Sequence, residues 1–353
     1  MNTQSISALQ AQVWYKDLFA DVSTILFMDK FMGEGQNNPI QVITDLTKAP
    51  GDTVVVPLTT KLSGAGIAGD GELEGNEDEI LSYSFSPKLN QLRNAVRLLG
   101  RMDEKKVAYN MRSDAKEKLK LWWAERIDKE ILAKISGDTG NNILSDSAFA
   151  NTPTAPTYSS TVANNRQIFA GGVTAEGSLT TAMKFDTKVI DAAKQQALLS
   201  QPKVRPIRLE ESAYKGQEVY IILVHPYQAT DLRQDPVWNQ EQRDANLRGE
   251  TNPLLSGSLG MHNGCIVHQH ESAYLDADGG SGGASIARAI LLGQQAGVFI
   301  KGRDSEWVEK SFDYGNKWGV SAGYIFGVQK PVFNSRDYGL ITISTAAAAA
   351  STA

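Results

Sequence analysis

The chain has 353 residues, 41% of them hydrophobic, which is enough for one large or two moderate cores. Its formal net charge of -5 excludes a protein that grips nucleic acid through a dense basic face. The single cysteine, Cys265, excludes an intrachain disulfide framework and a cysteine-based zinc site, and it suits a reducing cytosol.

No stretch reads as a membrane span, and the first four residues lack the basic region of a secretory signal. The apolar stretch over 13–32 is interrupted by Lys16, Asp17, Asp21, Asp29 and Lys30. It predicts one or two amphipathic helices whose apolar side carries Trp14, Leu18, Phe19, Val22, Leu26, Phe27 and Phe31. Gly33 and Gly35 end that pattern.

Residues 51–100 predict a long, exposed, two-stranded arm. Gly51 and Asp52 make a turn, and the β-branched run over 53–59 reads as a strand that Pro57 places at a sheet edge. Residues 64–79 are glycine-rich. They hold six acids (Asp70, Glu72, Glu74, Glu77, Asp78 and Glu79) and no base. A returning strand is predicted over 80–85, followed by a more basic stretch over 88–97. So long a projection cannot bury its own apolar residues and is expected to seek another chain. Gly64, Gly66 and Gly69 have the spacing of a dinucleotide loop, but that loop works only where a helix begins at its end. The glycines and acids that follow are a poor helix start and would repel phosphate, so the segment reads as an acidic tip.

The strongest predicted helix runs over 103–136. Val107, Met111, Ala115, Leu119, Trp122, Ile127, Ile131 and Ile135 recur at spacings of three to five and mark one apolar stripe. Asp103 can cap its start, and Gly137 can take the left-handed conformation at its end. Lys116, Glu117, Lys118, Glu125 and Lys129 read as a solvated face of mixed charge. Residues 138–179, rich in Asn, Ser, Thr, Pro and Gly, read as an insertion or loop with a short helix at 160–169.

A second helix is predicted over 186–200, with Ile190, Ala193, Ala197 and Leu198 as its face and Pro202 as its stop. Strands follow at 206–209 and 217–225. The near-continuous apolar run over 219–224 suits a buried central strand. Short helices are predicted at 226–233 and 241–248. Asn263-Gly264 signals a tight turn before a strand over 265–270. On that strand His268 and His270 share a face, and with His262 they could be zinc ligands, but no third ligand is fixed by spacing. Asp276 to Gly279 resembles half of a calcium loop, yet glycines follow instead of further ligands, so it reads as a mobile hairpin tip. Strands are predicted at 286–292, 320–328 and 338–344. Trp307, Phe312, Tyr314 and Trp318 read as core aromatics, and residues 344–353 as a low-complexity tail.

Several strings together carry a resemblance. Asp45-Leu46-Thr47-Lys48 with Gly51-Asp52-Thr53-Val54, then Gly69-Asp70 and Leu73-Glu74-Gly75, resemble the major capsid proteins of a family of short-tailed bacteriophages and related prophages. So do Arg248-Gly249, Asn252-Pro253-Leu254, Gly257-Ser258-Leu259-Gly260-Met261 and residues 264–268. Gly293-Gln294-Gln295-Ala296-Gly297 and the run 309–319 complete the series. Singly these strings are weak, but their order and spacing over residues 10–340 are specific.

The resemblance implies an α+β chain with the Hong Kong 97-type capsid fold. Its expected parts are an N-terminal arm at 1–50, an extended loop hairpin at 51–100, and a peripheral domain at 101–199 with a long spine helix. An axial domain at 200–328 follows, and return strands to the peripheral sheet with a tail at 329–353. The implied function is that of a shell subunit, not an enzyme, without cofactor or metal. Implied partners are further copies in hexamers and pentamers, a separate scaffolding protein, a portal and a decoration protein. The enclosed double-stranded DNA would be bound without sequence specificity, and assembly would take place in the host cytoplasm. No long charged helix precedes the arm, so an N-terminal scaffolding domain is not expected. The loop tip lacks lysine, which argues against the covalent cross-linking known in some relatives of this fold. The acidic tip is expected to lie on a neighbour's spine helix, with Lys105, Arg112, Lys116, Lys120 and Arg126 as its cations. The competing readings are a metal- or nucleotide-binding enzyme and a carbohydrate- or cell-binding module. The first fails its context tests, and the second leaves the long helix and the acidic hairpin unexplained.

Overall fold

The structure is a computed structural model. It describes residues 25–44, 51–59, 61–62, 64, 66–72, 74–75, 77–106, 111–140, 142–144, 149–209, 216–244 and 257–349, with the backbone alone at 103, 104, 112, 244 and 304–307. In chain order the elements are β1 (Met32–Gly33), β2 (Ile40–Ile43), β3 (Val56–Thr59), β4 (Ser82–Phe85) and β5 (Asn90–Arg97), then helices α1 (Arg101–Lys106) and α2 (Met111–Ser136). Next come β6 (Gln167–Phe169), α3 (Thr187–Leu199), β7 (Ile207–Arg208), β8 (Glu218–Val224), α4 (Pro226–Gln234) and α5 (Pro236–Asp244). The remaining strands are β9 (Gly260–His262), β10 (Cys265–Gln269), β11 (Leu275–Asp276), β12 (Ile286–Leu292), β13 (Gly297–Phe312), β14 (Lys317–Gln329), β15 (Val332–Phe333), β16 (Arg336–Asp337) and β17 (Leu340–Ala346).

Two sheets enclose the long helix α2. One has the strand order β1-β2-β13-β14-β5. The other runs β6-β17-β12-β8-β10-β9, with β7 and β11 paired at its sides. The period of two along β8 explains its continuous apolar run. Val219, Ile221 and Leu223 face the core shared with α2, whereas Tyr220, Ile222 and Val224 face the core under α3 and α4. The β13–β14 hairpin presents Phe299, Val320, Ala322, Tyr324 and Phe326 to the other side of α2. Ile127, Ile131 and Ile135 of the helix are therefore buried between two sheets, and each fully buried side chain of this kind contributes roughly 1.5–3 kcal/mol.

The end of α2 is a backbone device. Gly137 has φ 67°, and the Asp138 N–H donates to the Ala133 carbonyl at 3.0 Å, closing the six-to-one bond of a Schellman motif. The Asp138 carboxylate then accepts from the Asn142 and Ile143 N–H groups at 3.0 and 2.8 Å, which turns the chain away.

Several expectations are corrected. The helix expected over 103–136 is described as α1 and α2, with residues 107–110, including Val107, outside the described residues. Ala115, Leu119, Ile127, Ile131 and Ile135 are buried, while Met111 and Trp122 are half-buried. The charged positions of α2 do not all form a solvated face. Asp128, Glu130 and Lys134 are buried because both sides of the helix's second half carry a sheet. Residues 160–169 hold a single 3-10 turn (Val162–Asn164) and then β6, which pairs in parallel with β17. That region is thus an edge of the sheet and not a loose insertion. In α3, capped by Asp186 through the Val189 N–H, Leu198 is exposed while Ile190, Ala193 and Ala197 are buried.

Residues 297–329, expected in the axial segment, form the centre of the five-stranded sheet. The last strand, expected to return to the helix-bearing sheet, lies between β6 and β12 in the other one. Ser344, Thr345, Ala346 and Ala347 are buried there, so the low-complexity stretch begins as core. Residues 350–353 lie outside the described residues. Tyr314 stands fully exposed on the β13–β14 turn, and Phe312 packs under Arg97 and Lys310. The core aromatics are instead Phe299, Tyr324 and Phe326. Of Trp307 only the backbone is described. The 276–283 tip is tied down by the Ser281 N–H on the Leu179 carbonyl and by Ser285 Oγ on the Ala277 carbonyl.

Candidate functional site

Of the arm predicted over 51–100, the strands at 56–59 and 82–85 form a ribbon, whereas 90–97 form β5 of the five-stranded sheet. Strands β3 and β4 pair antiparallel from Val56↔Phe85 to Thr59↔Ser82, apart from both large sheets. Its root is anchored. Val54, Val56, Leu58, Tyr83 and Phe85 pack with Val298, Ile300 and Phe333, and the Leu89 N–H donates to the Asp52 carbonyl at 2.8 Å. Its outer part is bare. Val55 and Ile80 are 62% and 63% exposed, and Leu62, Ile67 and Leu81 are exposed as well. These five apolar side chains on one projection face water, which is a poor solvent for them.

The six acids of the tip are all exposed. Two of them also shape the loop, Asp78 accepting from the Gly64 N–H at 2.6 Å and Glu77 from the Gly75 N–H at 2.8 Å. Of the dinucleotide-like string, Gly64 therefore closes onto a carboxylate. Gly64 leaves room for it, since a Cβ there would run into Asp78.

The expected cations of the long helix separate. Lys105 is exposed on α1, and Lys116 and Lys120 are half-buried on α2. The side chain of Arg112 lies outside the described residues. Arg126 is corrected: only 15% of its side chain is exposed, and it stands 3.5 Å from the buried Glu130. Glu130 also holds Lys134 at 3.0 Å, and Lys134 donates to the Asn151 carbonyl. Arg126 therefore belongs to an internal network. Elsewhere on the helix, Lys118–Asp114 and Lys129–Glu125 neutralise each other along the surface.

The histidines are built into the fold. His268 is fully buried, with Lys30 Nζ 3.3 Å from its Nδ1 and the Phe31 ring at its edge. His270 packs on Phe27, and burial lowers its pKa. His262 stands apart, bridging Glu241 at 2.5 Å and Asp191 at 3.1 Å, and so joins β9 to α5 and α3. Among the described residues no group of three or more His, Cys, Asp or Glu is placed to hold a metal. Asn263 and Gly264 have φ 46° and 71°, as the tight turn requires.

One site escaped the sequence reading. The Asp128 carboxylate of α2 accepts from the Phe27 and Met28 N–H groups at 2.9 and 3.0 Å and so fixes the 3-10 turn Phe27–Phe31. Residues 1–24, with Trp14, Leu18, Phe19 and Val22, lie outside the described residues. Burial pushes the Asp128 pKa up to about 6, and the Lys30 pKa is lowered by burial against the pull of Asp128. The only signal in the sequence was an acid at a helix position flanked by Ile127 and Ile131.

Comparison with known proteins gives a consistent set. A family model described as phage capsid protein matches residues 2–349. The chain is 28% identical over 362 residues to the major capsid protein of Pseudomonas phage KPP25, covering 96% of this chain and 95% of that protein. Among solved structures, the capsid of Ralstonia phage GP4 superposes with a TM-score of 0.81 at 29% identity, covering 93% of this chain and 92% of that one. The capsid of cyanophage Pam1 shares the fold, with a TM-score of 0.74 at 20% identity and 92% of each chain covered.

Proposed function

The chain belongs to the phage capsid protein family and has the α+β, Hong Kong 97-type fold of a major capsid protein that forms the phage shell; from that premise we propose how its copies join. The observation that carries the proposal is the ribbon, anchored at its root and bare beyond it, with exposed Val55, Leu62, Ile67, Ile80 and Leu81 and six exposed acids. An edge-exposed ribbon with uncovered apolar residues gains by lying on another copy, and its negative tip selects a positive surface there. The sequence-derived receivers are Lys105, Arg112, Lys116 and Lys120 of the neighbour. Each exposed ion pair contributes only about 0.2–1 kcal/mol, so the shell depends on repetition of the contact.

The five-stranded sheet with α2 corresponds to the peripheral domain in this reading, and the eight-stranded sheet with α3, α4 and α5 to the axial domain. Copies assemble as hexamers and pentamers in the host cytoplasm, with a separate scaffolding protein, a portal and a decoration protein as partners. The chain works as a structural protein without catalysis. The stretch 62–87 carries no lysine, so its tip offers no amine for an isopeptide bond to a neighbour.

The test is assembly of a tip-neutralised variant, with all six acids replaced by Asn or Gln, alongside the unaltered chain and its partner head proteins. Melting of the unassembled subunit is expected to stay unchanged. Particle yield, counted by electron microscopy and sedimentation, is expected to fall, and the unaltered chain's yield to depend on salt. Equal yield and equal salt tolerance would show that the tip is only a solvated loop.

A further inference from the structure

Three separate pieces of the chain meet at one ring on the eight-stranded sheet. His262 ends β9 and leads into the Asn263-Gly264 turn, and only 8% of its side chain is exposed. Its Nδ1 lies 2.5 Å from Glu241 Oε2 of α5, and its Nε2 lies 3.1 Å from Asp191 Oδ1 of α3. An ionised carboxylate only accepts hydrogen bonds, and a neutral imidazole carries a single N–H. Both contacts together therefore need both ring nitrogens to donate, which only the imidazolium does.

The neighbours fit a charged ring. Asp191 Oδ1 also accepts from Asn263 Nδ2 at 2.8 Å. Lys194, on the next turn of α3, donates to the Asn263 carbonyl at 2.6 Å and to its Oδ1 at 2.8 Å, so this lysine is directed at the turn. Asp235 precedes α5. Burial would raise its pKa, but hydrogen bonds from Thr187 and Val237, together with the charge of His262, hold it low. Across the β9–β10 pair His262 faces Cys265, whose pKa burial pushes up to about 12, so that residue stays an uncharged thiol. Among the described residues, the charged groups gathered round His262 are thus Asp191 and Lys194 of α3, Glu241 of α5 and Asp235 between α4 and α5.

We propose that His262 is a proton-operated clasp between α3 and α5: charged, it holds both helices, and neutral, it holds one. The ring is buried, whereas Asp191 and Glu241 are half-exposed, so the carboxylate that loses its hydrogen turns to water and its helix loses that tie. The sign follows from the ring. The clasp is complete at low pH and is broken as pH rises through the range in which histidine titrates. Trp238 anchors the first turn of α5 in the core under α3 and α4. The second half of α5 is held by Gln242 Nε2, which donates to the Met261 carbonyl at 3.2 Å, and by the Glu241–His262 bond, which depends on a proton. The clasp involves no residue of the ribbon, so it acts on the subunit itself and not through the proposed contact between copies.

Urea unfolding of the unassembled subunit on both sides of the histidine range, at about pH 5.5 and about pH 8.5, tests the clasp. The chains compared are the unaltered one, Asp191→Asn, Glu241→Gln and the double variant, which remove charge and keep size. With the ring charged, each single replacement should raise the ratio of unfolded to folded chain about two- to tenfold. With the ring neutral, the remaining carboxylate takes its one hydrogen, and each single replacement should change that ratio less than about twofold. The double variant should show the product of the two single effects at the lower pH and clearly more than their product at the higher one. Single effects that are equal at both pH values, or a simple product at the higher one, overturn the clasp. Hydrogen exchange in the unaltered chain decides the matter if a variant does not fold. The amides of residues 238–243 should exchange at least about threefold faster at the higher pH once the intrinsic effect of pH is divided out. An unchanged ratio overturns the proposal.

Discussion

Replacing Asp128 with Asn should change how the subunit's stability responds to pH. The carboxylate is buried and accepts the Phe27 and Met28 N–H groups at 2.9 and 3.0 Å. Burial raises its pKa from 3.8 to about 6; Asp29 adds to the rise, and the two hydrogen bonds and Lys30 oppose it. A folded-state pKa above the unfolded value fixes the sign. The group's contribution is fully present below pH 3.8 and is lost as pH rises through about 6. A shift of roughly two units, at about 1.36 kcal/mol each, amounts to about 3 kcal/mol. The Asn side chain keeps an acceptor oxygen for the backbone and cannot ionise. Urea unfolding of the unassembled subunit at a series of pH values, for both proteins, isolates this contribution, because every other ionisable side chain is present in both. The wild type is expected to lose about 2–3 kcal/mol relative to D128N between pH 4 and pH 7. A gap independent of pH would refute the assignment of a charge held in a buried site, and a gap of opposite slope would show the hydrogen bonds outweighing burial.

Three further outcomes follow from packing and burial. Lys330 and Asp337 are fully buried and 2.8 Å apart, with Asp337 also accepting the Thr157 N–H at 3.1 Å. Lys330→Met should therefore cost about 3–5 kcal/mol in urea unfolding, and adding Asp337→Leu should recover most of it. A single variant within 1 kcal/mol of wild type would count against the pair. Ile131→Ala, between the two sheets, should cost about 2–5 kcal/mol, against about 0.5 kcal/mol or less for Leu121→Ala on the half-exposed side of the same helix. Gly137→Ala should cost more than about 1 kcal/mol, because φ is 67° and the new Cβ meets the Thr154 carbonyl; the same unfolding experiment reads it.

The parts of this fold that were legible in the sequence are those governed by local rules. Val219 to Val224 could be read as a central strand because a strand buried on both faces leaves no polar alternation. Gly137 and Asn263-Gly264 announced their helix end and turn because each answers a backbone need within a few residues. What failed depended on distant partners. Lys134 and Glu130 look like surface charges until two sheets close over α2. Ser344 and Thr345 look like a tail until Glu176 and Gln228 reach them at 2.7 and 2.8 Å. The acidic tip was plain in the sequence because it is a run of like charge. The grouping of Arg93, Arg97, Arg303 and Lys310 on one sheet face was not, because they come together only through the pairing of β5, β14 and β13.

The same asymmetry bears on how a shell could be built from one chain. In the proposed contact the ribbon tip of one copy lies on a different surface of the next, so the contact is heterologous: each copy gives one and receives one. Such contacts close into rings or run on as filaments according to the rotation they impose. The strength of the contact matters less for that choice than its direction. For that contact the ribbon root supplies direction, since Phe85, Val298, Ile300 and Phe333 clamp it to the five-stranded sheet. In the proposed contact the tip adds only a weak, salt-sensitive bond. A misplaced copy held by a few exposed ion pairs can leave again, whereas a copy placed well is held by every neighbour at once. Strengthening the tip with buried apolar contacts should therefore raise the yield of aberrant assemblies over closed particles, even while it tightens each single contact.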